Sequence, residues 1–141
     1  MGGVYLTGRR SARAARAERR LDAYADLLVA AGEVLGTYRR FQGEVSLDSD
    51  HEAAERVNAR MADLAAVLHR ASAVVALTVS DLGRQQGKNL YGTAREVAQS
   101  RMRPTGDPAC PWDMATKDDE ALEKAIDAYK DALIPETTAL P

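Results

Sequence analysis

With 141 residues, 45% of them apolar, and a formal net charge of −2, the chain has the size of one globular domain built around one core. Only 5% of the residues are aromatic and alanine is frequent, which favours closely packed helices of Leu, Val and Ala over a sheet. The single cysteine, Cys110, excludes an internal disulfide and a cysteine-based zinc cluster, and no run approaches the roughly 20 apolar residues that span a bilayer, so a soluble chain in a reducing, cytoplasmic compartment is expected.

Residues 1–8 read as a flexible start. The stretch "GRRSARAARAERR" then sets six arginines, Arg9, Arg10, Arg13, Arg16, Arg19 and Arg20, against one acid, Glu18. It holds no proline or glycine after Gly8 and consists of good helix formers, so a first helix is predicted over residues 9–42. Its apolar seam falls at Leu21, Tyr24, Leu28, Ala31, Leu35 and Tyr38 in alternating steps of three and four, widened on one side by Leu27, Val34 and Phe41. Within it, Gly32 and Gly36 form a Gly-x-x-x-Gly that would permit close approach of a neighbouring backbone.

A second helix is predicted over residues 49–79. Ser49 with Glu52 reads as a capping box, and Asp48 and Asp50 favour the positive end of the helix dipole. Its seam is Val57, Met61, Leu64, Leu68, Ala71, Val75 and Thr78. A short connection between two helices of similar length predicts an antiparallel hairpin.

A third helix over residues 81–100, with Leu82, Leu90, Ala94 and Val97 on one face, is expected to be bent or frayed by Gly83, Gly87 and Gly92. Pro104, Gly106, Pro108 and Pro111 make residues 103–114 a proline-rich loop, pinned to the bundle by Trp112. A fourth helix over residues 117–134 opens on Asp118, Asp119 and Glu120, buries Leu122, Ala125, Ile126, Tyr129 and Leu133, and stops at Pro135; residues 135–141 form a loose tail. The expected fold is all-α, a long antiparallel helical hairpin with one or two shorter helices packed on it as a three- or four-helix bundle.

The segments "AERRLDAYADLLVAA", "RMADLAAVLHRASAVVALTVS" and "EALEKAIDAYKDAL" resemble a loose group of small helical, often membrane-anchored proteins of high-GC actinobacteria, over most of the chain. The resemblance implies two long helices and no particular chemistry. In that group a membrane-spanning helix precedes the basic stretch, whereas here only "MGGVYLT" does, so either such a segment lies upstream of Met1 or this member has none.

Three partners suit the arginines. On a helix Arg9, Arg13, Arg16 and Arg20 share one side, fit to face anionic lipid headgroups at the inner face of a cell membrane or the phosphates of nucleic acid. Alternatively they are a solvated helix end, or one neutralised by the acidic end of the chain: six arginines less Glu18 leave about +5 in residues 1–20, while residues 113–141 carry eight acids against three lysines. Nucleic acid ranks behind the membrane, because no aromatic residue interleaves with the arginines.

Catalytic signatures are weak. His51 and Glu55 stand one helical turn apart in "HEAAE", but two ligands do not make a metal site, and His69 reads as a boundary residue beside Leu68. Cys110 lies between prolines with no basic neighbour, and "GRQQGK" lacks the strand and the Ser/Thr of a phosphate-binding loop. No catalytic, cofactor-binding or metal residue is assigned. The leading expectation is a non-enzymatic interaction or scaffolding module that binds a protein partner or a second copy of itself, with its arginine end at an anionic membrane surface. A nucleic-acid-associated regulator comes next, and a metal-dependent enzyme built from dispersed carboxylates last.

Overall fold

The computed structural model describes residues 2–44, 51–78, 81–108 and 112–138, with side chains at all of these except 2–11, 17, 43–44, 78, 81–83 and 134–138. Helices α1 (Gly2–Glu44), α2 (His51–Thr78) and α3 (Asp81–Ala98) are followed by strands β1 (Met102–Pro104) and β2 (Trp112–Met114) and by helix α4 (Asp119–Thr138). Successive helices reverse direction. Glu33 meets Arg60 across α1 and α2, while Asn58 and His69 on α2 meet Met102 and Tyr91 in descending order. Tyr24 and Arg39 on α1 likewise meet Tyr129 and Asp119. The predicted hairpin is therefore half of an up-down-up-down four-helix bundle, which α4 closes against α1.

The α2 seam is buried as its spacing predicts, from Val57 through Met61, Leu64, Leu68 and Ala71 to Val75, while the side chain of Thr78 lies outside the described residues. On α1 the seam is rotated from the expected one. Leu27 and Val34 are fully buried beside Tyr24, Ala31 and Tyr38, whereas Leu28 and Leu35 are half-buried and Leu21 is 36% exposed. Neighbours press on α1 from both sides, and the small Ala23 and Ala30 are buried with the seam, so the centre of the stripe falls between the two registers that the apolar pattern allows.

Several expected boundaries shift. Helical backbone begins at Gly2, so residues 2–8 belong to α1 instead of forming a flexible start. Glu52 lies in the first turn of α2, while Asp48, Ser49 and Asp50 lie outside the described residues. At the start of α4 the cap is Asp118, whose Oδ1 accepts the Ala121 N–H at 2.9 Å. This helix runs through Pro135 to Thr138 in place of the expected stop and loose tail. The proline φ is compatible with a helix, and the cost is the hydrogen bond to the Asp131 carbonyl together with crowding of that carbonyl by the ring. Residues 139–141 lie outside the described residues.

Two corrections concern glycine and proline. Helix α3 keeps helical backbone from Asp81 to Ala98 with no break at Gly83, Gly87 or Gly92. At Gly87 an added Cβ would stand 2.9 Å from Val75 Cγ1 and 3.6 Å from Leu27 Cδ2, so this glycine serves the meeting of three helices and is no hinge. The proline-rich segment is not all loop: β1 and β2 pair antiparallel in the register Met102↔Met114, Arg103↔Asp113 and Pro104↔Trp112. A two-stranded ribbon is all edge, so Pro104 can point its missing donor away from the partner strand. Gly106 supplies the left-handed φ of +81° in the connection, where the Asp107 N–H donates to Thr105 Oγ1 at 3.0 Å.

The ribbon is tied to the bundle at both strands. Asn58 on α2 accepts the Met102 N–H at 2.7 Å through Oδ1 and donates through Nδ2 to the Met102 carbonyl at 3.2 Å. Met102 and Met114 are buried, and the half-buried Trp112 packs against the core with its ring centroid 5.8 Å from that of His51.

Gly87→Ala should lower stability by about 1 kcal/mol, because forcing a Cβ against a stiff valine outweighs the gain in helix propensity. Gly92, where an added Cβ meets nothing within 4 Å, should gain roughly 0.5–1 kcal/mol on the same change. Urea unfolding of the two variants measures both, and equal effects at the two positions would contradict the packing described. Asn58→Ala should cost about 1–3 kcal/mol in the same assay, since it strips the partners from two polar groups of a buried residue.

Candidate functional site

The arginine row belongs to α1 and keeps the same phase as the core. Arg9, Arg13, Arg16 and Arg20 follow in steps of four, three and four, and the same spacing then runs into Tyr24, Leu27, Ala31, Val34 and Tyr38. At about 100° of turn per residue, these positions fall in one arc of the helix. The packing seam thus changes from arginine to apolar residues along its length. The described core on α1 begins at Ala23, α2 buries nothing described beyond Val75, and α3 starts at Asp81, so the arginine part of the arc has run past the bundle core. Arginine suits that position, because a guanidinium is almost never buried without a partner.

Arg13, Arg16, Arg19 and Arg20 are exposed, whereas Arg9 and Arg10 have helical backbone and side chains outside the described residues. Among the described residues no ion pair involves Arg13, Arg16, Arg19 or Arg20. Two acids of α4 pair elsewhere, and the side chain of Glu136 lies outside the described residues. Asp119 Oδ2 and Glu123 Oε2 accept from Arg39 at 2.8 and 2.7 Å, at the end of the bundle opposite the arginine row. These bonds hold the Asp119 carboxyl below the usual carboxylate range and raise the Arg39 guanidinium above its ordinary value, chiefly through Glu123 and then Asp119.

Other sequence candidates separate. His51 Nε2 lies 2.9 Å from Glu55 Oε1, both largely exposed, and among the described residues no group of three or more His, Cys, Asp or Glu side chains comes together. His69 is exposed, with Nδ1 3.0 Å from the Tyr91 hydroxyl. The stretch "GRQQGK" lies inside α3, and Cys110 lies outside the described residues. Gly32 and Gly36 do not serve close approach within the chain, since a Cβ at either would meet nothing within 4 Å. What the sequence pattern missed is an apolar groove between the outward faces of α1 and α2, lined by Val29, Val67 and Val74. These valines lie off both seams, and only the arrangement of the helices brings them together.

Among the described residues, no helix is long and apolar enough to cross a membrane. Comparison with protein-family models, curated proteins and solved structures found no match.

Because the folded state holds Asp119 at a depressed value, its pairing adds stability above the ordinary aspartate range and loses it as pH falls through the folded midpoint. Carboxyl-carbon NMR titration should find Asp119 protonating below a normal aspartate, and Arg39→Met should move that midpoint up. A midpoint indifferent to the substitution would remove Arg39 as the cause.

Proposed function

We propose that the chain is a non-enzymatic helical interaction module whose arginine-bearing start of α1 engages an anionic membrane surface. The observation that carries this reading is the exposed row of Arg13, Arg16 and Arg20, which continues the packing arc past the core with no ion pair among the described residues. A row of cations on one side of a helix can lie along a plane of headgroups, each worth about 1 kcal/mol near an anionic surface. The remainder of the described molecule is given to packing. Its buried polar side chains are Thr37 and Ser100, and its described core is otherwise apolar.

Co-sedimentation with vesicles tests the proposal. Binding should need anionic lipid, fall with added salt, and weaken by roughly thirty-fold when Arg13 and Arg16 are both replaced by Ala, at about 1 kcal/mol for each charge. Equal binding to neutral vesicles, or no loss in the double variant, would overturn it. Salt-dependent binding to duplex DNA in preference to the vesicles would favour the nucleic-acid alternative.

A further inference from the structure

The large apolar side chains left exposed among the described residues all belong to the first two helices: Leu21 and Val29 on α1, and Val67, Val74 and Leu77 on α2. The exposures of Val29, Val67 and Val74 are 57%, 39% and 47%, and Leu77 reaches 87%. Helices α3 and α4 contribute none among the described residues. The three valines line a groove of about 360 Å³ on the outer side of the α1–α2 pair. Its α1 wall carries Asp26 and Glu33 and its α2 wall carries Arg70, with Arg60 reaching Glu33 at 3.6 Å. Further along, α1 turns basic at Arg40, seven residues after Glu33, while α2 carries Asp63 beside Arg60, all exposed.

We infer that this face binds a second copy of the chain, in a parallel two-fold dimer that lays α1 of each protomer over α2 of the other. The charge pattern selects both the occupant and the orientation. Self-association across a two-fold axis brings the same patch from both sides, so residue i of one copy meets j of the other and the reverse. With the axis along the helices, the acidic α1 wall lies over the basic α2 wall at the same level. Asp26 and Glu33 then face the partner subunit's Arg70. With the axis across the helices, α1 would lie head to tail on α1, setting Asp26 against the partner subunit's Glu33 and bringing the two copies of Arg70 together. Like charges in apposition select against that arrangement.

The face is large enough. The α1 surface from Leu21 to Arg40 is about 30 Å long and a helix pair about 20 Å wide, so each copy contributes on the order of 600 Å². Two copies reach about 1,200 Å², at the lower bound for specific interfaces. Gly36, seven residues after Val29 and so on the same side, leaves room there for the helix of the partner. In this arrangement both arginine rows emerge at the same end of the dimer. The dimer and the membrane reading are independent, and each can fail without the other.

Sedimentation equilibrium of the full chain tests the inference. The mass should approach twice the 15.2 kDa of one chain as concentration rises. Asp26→Arg and Arg70→Glu change exposed residues, and circular dichroism should show the helical content of each variant unchanged. Alone, each should weaken dimerisation about tenfold, because the substitution is repeated twice across the interface. An equimolar mixture of the two variants should restore dimers, since every altered side chain then meets its opposite in the other protomer. Monomers at every concentration would overturn the inference, as would dimers insensitive to both substitutions. Tighter dimerisation by Asp26→Arg alone would overturn the parallel orientation, because only the head-to-tail arrangement places Glu33 of the partner opposite that position.

Discussion

Where α1, α2 and α3 converge, Leu27 and Val75 reach to the backbone of Gly87 so closely that a methyl group there would press within 2.9 Å of Val75. That contact sets the separation of the three helices, and much else follows from it. The interior is built mostly from Leu, Val, Met and Ala, with Tyr24, Tyr38 and Tyr129 buried in the same core. Tyr38 and Tyr129 are buried with their hydroxyls satisfied. Tyr38 Oη accepts the Lys117 N–H at 2.7 Å, and Tyr129 Oη donates to the Tyr24 carbonyl at 3.2 Å. A buried tyrosine needs such a partner, and these two bonds fix how α4 and the segment before it meet α1. Each large apolar residue in this core contributes roughly 1.5–3 kcal/mol on full burial.

The four helices were legible because three-four spacing marks one buried face of a helix, and α2 was legible almost residue by residue. Helix α1 was harder, since its apolar residues are abundant enough to support two neighbouring stripes. Choosing between Leu27–Val34 and Leu28–Leu35 requires knowing from which sides other helices press. The glycines of α3 were misread for a related reason. A glycine in a helix costs propensity wherever it lies, but what it gives in return, as at Gly87, depends on a neighbour from a distant part of the chain. The ribbon of β1 and β2 was hidden by its prolines, which forbid a central strand and tolerate an edge.

The arginines were visible from composition alone, and their shared side from spacing. That this side is the packing side was not, because it depends on the correct phase of the α1 seam. The groove between α1 and α2 left no mark in the sequence at all. Val29, Val67 and Val74 each read as an ordinary off-seam residue, and single exposed valines are common. They matter together only because an antiparallel pair sets residues of the late twenties of the chain opposite those of the late sixties and early seventies.

The up-down-up-down order has a kinetic meaning. Each helix packs against the one that precedes it, so most contacts close short loops and ask little chain entropy. Such a chain is expected to fold in roughly the microsecond-to-millisecond range, by adding one hairpin to the next. The exceptions are the seam of α1 with α3, where Leu27 meets Gly87, and that of α1 with α4, where Arg39 reaches Asp119 and Glu123, and Tyr24 reaches Tyr129. Among the described residues the α1–α4 contacts bridge the widest sequence separations, and loop closure there is the most demanding step. The seating of the last helix is therefore the event that turns three consecutively paired rods into a closed domain, and weakness in that seam would release it first.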